Sequence, residues 1–152
     1  DMDGVVADFT AFTTKKLGKK FTDDDWDNLP DDMFFQLPKM PDADQLWKFI
    51  GKFKPHMLTA IPRPGRGPIS QRAAKDKTKW MKKNFGVSRD RVYCVQRINK
   101  ANFAKDGVDG RPNILIDDHM KNIKAFRDKG GIGIHHTSAA KTIAMLKKIG
   151  FK

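Results

Sequence analysis

Acidic, hydroxyl and amino side chains stand at or just beyond the ends of short apolar segments in this sequence. The set consists of Asp1, Asp3, Thr59, Lys100, Asp117 and Asp118. If the apolar segments are parallel strands, their carboxyl ends meet at one edge of a sheet, where ligands bind in folds of this kind. Carboxylates that are held together repel each other, and a hard divalent cation with oxygen ligands relieves that repulsion. Mg²⁺ suits a site shared with a phosphate, and a lysine and a hydroxyl contact phosphoryl oxygens, so the set favours phosphoryl transfer.

Short apolar runs alternate with amphipathic helical segments in the part of the chain after residue 55. The pattern predicts strands at 56–60, 91–95, 113–117 and 132–135, and helices at 69–85, 120–129 and 138–149. Strands and helices that alternate at this spacing indicate a parallel α/β sheet with helices on its faces. The apolar runs are nearly continuous, as expected of strands that are buried on both faces.

The first fifty residues have a different character. A helix is expected from Val5 to Leu17, and acidic residues mixed with aromatic residues and prolines follow. Residues 15–45 are interpreted as a small insertion over the sheet, too short to be an independent domain, so the whole chain is expected to form one domain. Asp42 and Gln45 have the spacing of a capping box, which predicts that a helix over 46–53 begins there.

Composition restricts the class of protein. The chain has 152 residues, of which 39% are hydrophobic and 32% charged, and no apolar run approaches the roughly 20 residues of a membrane span. A single cysteine, Cys94, cannot form an internal disulfide, and no signal peptide is recognised, so a cytoplasmic location is expected. The formal net charge of +12 favours a phosphorylated or polyanionic partner, although the same charge also serves solubility.

Several segments resemble motifs of the haloacid dehalogenase superfamily of phosphatases, in the form found in the 5'(3')-deoxyribonucleotidases. The matching segments are DMDGVVADF at 1–9, MFFQL at 33–37, LT at 58–59, DKTKW at 76–80, INK at 98–100 and ILIDD at 114–118. They occur in the family's order and cover most of the chain. The resemblance implies a three-layer α/β/α core of Rossmann type with a small helical cap, Mg²⁺ as cofactor, and hydrolysis of nucleoside monophosphates.

The resemblance also implies roles for individual residues. Asp1 would be the nucleophile that forms an aspartyl-phosphate, and Asp3 would protonate the leaving group and later activate water. Thr59 would bind the transferring phosphoryl group, and Lys100 would offset its charge, with Lys77 as the alternative lysine. The metal ligands implied are Asp1, Asp3 through its carbonyl, Asp118 directly and Asp117 indirectly. The substrate contacts implied are the open turn at Gly4, base stacking by Phe9 and Phe34, and a phosphate contact from Arg63.

Three departures from the family pattern leave the substrate open. Ala60 stands where the family usually has a serine, Asn99 where it has an acidic residue, and the insertion is shorter than the typical cap. A phosphatase that acts on nucleic-acid ends, attracted by the positive charge, therefore remains an alternative to a mononucleotidase. A basic nucleic-acid-binding module without turnover is a third possibility, because the segment 69–88 carries many cations and only one acidic residue, Asp76.

Each of these residues also has a plain structural interpretation. Phe9 and Phe34 could belong to the core, and the pair Asp117 and Asp118 could cap the following helix. His135 and His136 are adjacent on a predicted strand and so point to opposite faces, which argues against a metal site. Because the implied nucleophile is Asp1, a central strand of about 5–10 residues is expected upstream of it.

Overall fold

Four short strands form two parallel pairs in a computed structural model that describes residues 1–107 and 109–152. Strand β1 (Met57–Ala60) pairs with β2 (Val92–Val95), and Thr59 lies opposite Cys94. Strand β3 (Ile114–Asp117) pairs with β4 (Ile132–His135), and Asp117 lies opposite His135. All four predicted strands are confirmed, each within one residue of its expected bounds.

Helical structure accounts for about half of the chain. The α-helices are α1 (Phe9–Leu17), α2 (Met33–Gln36), α3 (Ala43–Ile50), α4 (Pro68–Phe85), α5 (Met120–Asp128) and α6 (Ala139–Lys148). Short 3-10 helices span Asp23–Asn28, Gly51–Phe53, Arg89–Arg91 and Arg97–Phe103. Helix α4 shows why the sequence predicted its ends well: Pro68 occupies the first turn, and Gly86 takes a left-handed conformation that closes the last turn. Among the described residues, no helix is long and apolar enough to cross a membrane.

Side chains from the two faces of the strands pack into two separate apolar clusters. Met57 belongs to the larger cluster, with residues of α2, α3, α4 and α6, whereas its neighbour Leu58 belongs to the smaller one. Leu115 likewise joins the smaller cluster, where it meets Ile123 and Phe126 of α5. Strands that bury side chains on both faces explain why their sequences are continuously apolar.

The two strand pairs do not join into the single sheet that the sequence predicts. Among the described residues, β1 pairs only with β2 and β3 only with β4. Residues of β1 and β3, including Leu58 and Leu115, instead line a mainly apolar groove of about 730 Å³ between the pairs. Asp1 lies at this groove, and its backbone nitrogen donates a hydrogen bond to the carbonyl of Ile116 at 2.8 Å. This contact places Asp1 beside the carboxyl end of β3.

The segment before α1 forms a tight turn where the sequence predicted the start of a helix. The backbone N–H groups of Val6 and Ala7 both donate to the carbonyl of Met2 at 2.9 Å, and the helix begins only at Phe9. Asp8 then caps α1, because its carboxylate accepts from the N–H of Ala11 at 3.0 Å. The prediction of a helix from Val5 was therefore wrong by one turn, since the turn needs a positive φ at Gly4 (+83°).

The region of the predicted insertion lies against the rest of the fold through specific polar contacts. The indole N–H of Trp80 in α4 donates to the carbonyl of Leu37 at 2.7 Å, and the N–H of Met40 donates to Val6 at 2.8 Å. The buried carboxylate of Asp25 accepts hydrogen bonds from Lys19 and from the backbone N–H of Thr22. These contacts attach the segment to α4 and to the N-terminal turn.

The predicted capping box at Asp42 is wrong. Helix α3 starts at Ala43, three residues earlier than expected, and the Asp42 side chain makes no cap bond to it. The Asp42 carboxylate instead accepts a hydrogen bond at 2.7 Å from the N–H of Ala139, at the start of α6. A carboxylate at the beginning of α6 satisfies a free N–H group and meets the positive end of the helix dipole, which explains the change of partner.

Candidate active site

Lys100 joins two carboxylates that are far apart in the sequence. It lies in the 3-10 segment after β2, is only 2% exposed, and donates to Asp1 Oδ1 at 2.9 Å and to Asp117 Oδ2 at 2.8 Å. Asp117 ends β3 and also accepts from the His119 N–H at 2.9 Å and from the Asn122 side chain at 3.0 Å. The predicted neighbours Asp1, Lys100 and Asp117 are thus brought together at the carboxyl ends of the strands.

A second buried lysine organises the other half of the site. Lys77 of α4 is fully buried, and its Nζ donates to Asp3 Oδ2 at 2.9 Å, Thr59 Oγ1 at 2.9 Å and the Ala60 carbonyl at 2.6 Å. The same Nζ lies 4.5 Å from the ring centroid of Phe34. Both lysines considered from the sequence therefore reach the site, where Lys100 contacts Asp1 and Lys77 contacts Asp3.

Three carboxylates form a compact acidic group. One oxygen from each of Asp1, Asp117 and Asp118 can be chosen so that all lie within 4.8 Å of one another. The carboxylate of Asp3 is not a member of this group because it is turned toward Lys77. Asp3 Oδ1 is nevertheless buried and has no hydrogen-bond partner among the described residues. The site thus has one buried acceptor that a bound ligand could satisfy.

The two adjacent aspartates at the end of β3 differ in environment. Burial alone would raise the pKa of Asp117, but the charges of the Asp1 amino group and of Lys100, with hydrogen bonds from Lys100 and His119, lower it overall. Asp118 reaches solvent at the cleft, yet the loss of hydration there raises its pKa, and the nearby charge of Asp117 adds to this. Asp117 is therefore the fixed anion, held by lysine and amide donors, and Asp118 is the more exposed carboxylate at the cleft.

Gly4 gives Asp118 the space that it occupies. A Cβ atom on Gly4 would overlap the Asp118 carboxylate, and the φ angle of +83° is one that other residues rarely adopt. Gly4 is thus needed both for the turn and for the close approach of the Asp118 side chain.

A cleft of about 820 Å³ opens above these carboxylates. Asp1, Asp3, Asp118 and Lys100 lie at its base. The substrate residues that the resemblance implied also line it: Phe9, Phe34, Ala60 and Arg63. Phe34 is only 2% exposed, so it presents little ring surface and serves mainly to cover Lys77.

Aromatic side chains from α1 and from the segment that follows it contribute to the lining of this cleft. Phe9 meets Phe21 edge to face at 5.1 Å between ring centroids, and Phe21 meets Trp26 at 4.9 Å. Phe21 and Trp26 line the cleft but were not identified from the sequence, since neither falls in a matched motif. Asn122 was also missed, although its place in the first turn after two aspartates could have indicated it. Arg97 and Lys121, which also line the cleft, carried no signal beyond charge.

Cys94 and His136, for which the sequence analysis favours no catalytic or metal-binding role, are not members of the acidic group. Cys94 is partly buried on β2, and burial raises the pKa of its thiol, consistent with an unreactive side chain. His136 is buried, and its Nδ1 lies 2.7 Å from the Thr142 hydroxyl in α6.

The chain matches no family model and no curated protein among those with which it was compared.

Proposed function

We propose that the protein is a Mg²⁺-dependent phosphomonoesterase with a fold of the haloacid dehalogenase type, which dephosphorylates nucleoside monophosphates through an aspartyl-phosphate on Asp1. One observation carries the proposal. The Asp1 carboxylate is fixed by the buried Lys100 beside Asp117 and Asp118, while Asp3, which lines the same cleft, is fixed by Lys77 together with the buried Thr59 hydroxyl.

The donor set fits a hard divalent cation. Asp1, Asp117 and Asp118 offer oxygen ligands within 4.8 Å of one another, and Asp1 and Asp118 also line the cleft. Mg²⁺ prefers oxygen ligands of this kind and commonly shares its coordination with a substrate phosphate. Bound there, Mg²⁺ would supply positive charge to the phosphoryl oxygens.

Asp1 is suited to act as the nucleophile because only one of its carboxylate oxygens is bound by Lys100. In the first step, its free oxygen attacks phosphorus, a P–O bond forms, and the bond to the leaving oxygen breaks. Asp3 gives a proton to the leaving alkoxide. In the second step Asp3 takes a proton from water, the water oxygen attacks phosphorus, and the Asp1 carboxylate is released with inorganic phosphate.

The two lysines prepare the groups around the phosphoryl oxygens. Because the Lys77 ammonium donates to Thr59 Oγ1, the hydroxyl proton of Thr59 is free to be donated to a phosphoryl oxygen. Lys100 donates a hydrogen bond to the attacking carboxylate, next to which negative charge gathers in the transition state. Ala60 contributes only its carbonyl to Lys77, so the hydrogen bond that a serine would give is absent here.

The aromatic wall supports a nucleotide as the substrate. Phe9 and Phe21 line the cleft in edge-to-face contact, and a base can stack on ring surface while its phosphate lies deeper. The wall tolerates different bases, because stacking depends little on the hydrogen-bonding groups of the base.

Phosphate release from a panel of deoxynucleoside and ribonucleoside monophosphates tests the proposal. We expect turnover with Mg²⁺, none after chelation, and none from Asp1→Asn, which keeps the shape of the side chain. Lys124→Ala, on the exposed side of α5, is the matched control and should behave like the wild type. A complete lack of turnover on every monophosphate, in protein that binds Mg²⁺, would show that the proposed activity is wrong.

A further inference from the structure

The geometry points to the phosphorylated end of a single-stranded nucleic acid as a further substrate beside mononucleotides, with its terminal phosphate at Asp1 and the adjacent phosphates against Arg97 and Lys121. This inference rests on the proposed phosphatase activity and specifies its substrate class.

The charges at the base of the cleft are already paired. Lys100 bonds Asp1 and Asp117, and Lys77 bonds Asp3. Among the cations farther out, Arg66 lies 3.5 Å from Asp23. In the part of the chain that the structure describes, both lysines that hold these carboxylates are therefore already engaged and do not serve phosphates other than the one that reacts.

Three further cations line the cleft and lack such partners. Arg63, Arg97 and Lys121 are exposed, and within residues 1–107 and 109–152 none of them forms an ion pair. They come from three separate places: the loop after β1, the 3-10 segment after β2 and the first turn of α5. A mononucleotide carries one phosphate, which the proposed mechanism places at Asp1, so these cations favour a substrate with additional phosphates.

Ile98 supplies apolar surface at the same rim. Its side chain is 84% exposed, more than any other large hydrophobic residue in the described part of the chain, and it lines the cleft directly after Arg97. Phe21 and Trp26 line the cleft as well, on the insertion. Cations that contact phosphates, together with apolar and aromatic surfaces that contact bases, are the features by which proteins bind single strands.

Salt dependence measures the number of phosphates that are contacted. Short single-stranded DNA with a 5'-phosphate or a 3'-phosphate, and the matching mononucleotide, are the probes, with KM measured between about 50 and 200 mM salt. Each phosphate contact on a single strand contributes about 0.7 to the slope of log affinity against log salt, so the double variant Arg97→Ala/Lys121→Ala should flatten the oligonucleotide slope by about 1.4. The double variant Arg89→Ala/Lys124→Ala removes two exposed cations that do not line the cleft and should leave that slope unchanged.

The outcomes separate the inference from the proposed function. If the wild type hydrolyses mononucleotides and its salt slope for oligonucleotides equals its salt slope for the mononucleotide, the inference is wrong and the phosphatase activity stands. If no monophosphate is hydrolysed, binding of the same DNA to Asp1→Asn is measured by fluorescence anisotropy. Binding that requires the terminal phosphate and weakens in Arg97→Ala/Lys121→Ala would show that the cleft takes a nucleic-acid end although the proposed reaction is wrong, whereas equal binding of unphosphorylated DNA would contradict the inference as well.

Discussion

Replacing Lys100 with methionine removes the charge between Asp1 and Asp117 and keeps most of the side-chain volume. Lys100 is 2% exposed and the Asp117 side chain is fully buried, so the substitution leaves an uncompensated anion inside the protein. Removal of one partner from a buried ion pair typically costs 3–5 kcal/mol. Asp117 keeps the hydrogen bonds from Asn122 and from the His119 N–H, so we expect a loss near the lower limit, about 3 kcal/mol.

The loss can be measured by urea unfolding at neutral pH and by thermal unfolding. For a chain of this length each kcal/mol lowers Tm by about 2–4 °C, so the expected decrease is about 6–12 °C. Lys124→Met, at an exposed position of α5, is the matched control and should change Tm little.

A double-mutant cycle isolates the contact between Lys100 and Asp117. Asp117→Asn removes the charge that Lys100→Met would leave unpaired, so the double variant should be more stable than the sum of the two single losses by about 1–2 kcal/mol. Losses that add within about 0.5 kcal/mol, or a Lys100→Met loss no larger than that of Lys124→Met, would refute the reasoning.

Substitutions at three further positions test separate parts of the structure. Gly4→Ala should abolish most turnover, because the added Cβ displaces the Asp118 carboxylate and a left-handed backbone costs a residue with a Cβ about 1–2 kcal/mol. A Gly4→Ala variant with the rate and Mg²⁺ dependence of the wild type would contradict the close approach of Gly4 to Asp118. Thr59→Val should lower kcat by about 10²-fold, as for the loss of one donor to the transferring group, and Thr59→Ser should restore most of it. Hydrogen bonds from Lys19 and from Thr22 lower the pKa of Asp25 from its usual 3.8 to about 2. The stability that the ionised carboxylate contributes is therefore complete above about pH 4, and it is lost as the pH falls through 2. The Tm difference between wild type and Asp25→Asn should therefore narrow from pH 4 to pH 2, and a constant difference would show that the ionised carboxylate contributes no stability.

Sequence reasoning located the elements of the second half of the chain because their signals are local. The apolar run 113–117 and the helix between Pro68 and Gly86 each contain their own start and stop signals. The separation of the strands into two pairs was not predictable in this way, because pairing depends on which strand edges meet in space. The helix expected from Val5 failed for a related reason, since the tight turn at Gly4 overrides a favourable helical pattern.

The sequence predicted which residues lie at the candidate site better than it predicted which of them contact each other. Asp1, Lys100 and Asp117 were expected at the carboxyl ends of the strands, and they do meet there. The position of Asp3 with Lys77, apart from the acidic group, could not be deduced, because α4 brings Lys77 to the site from outside the strands. The partner of Asp42 was missed for the same reason, because the N–H group that donates to its carboxylate belongs to Ala139, at the start of a helix far along the chain.

Trapping of a phosphoryl group on Asp1 tests the central claim most directly. The protein is mixed with a nucleoside monophosphate labelled on phosphorus in the presence of Mg²⁺, quenched in acid, digested, and the labelled peptide is sequenced by mass spectrometry. We predict a label on Asp1 that hydroxylamine releases, as expected of an acyl phosphate, and no label in Asp1→Asn. Steady phosphate release without any label on Asp1, or undiminished turnover by Asp1→Asn, would contradict the account.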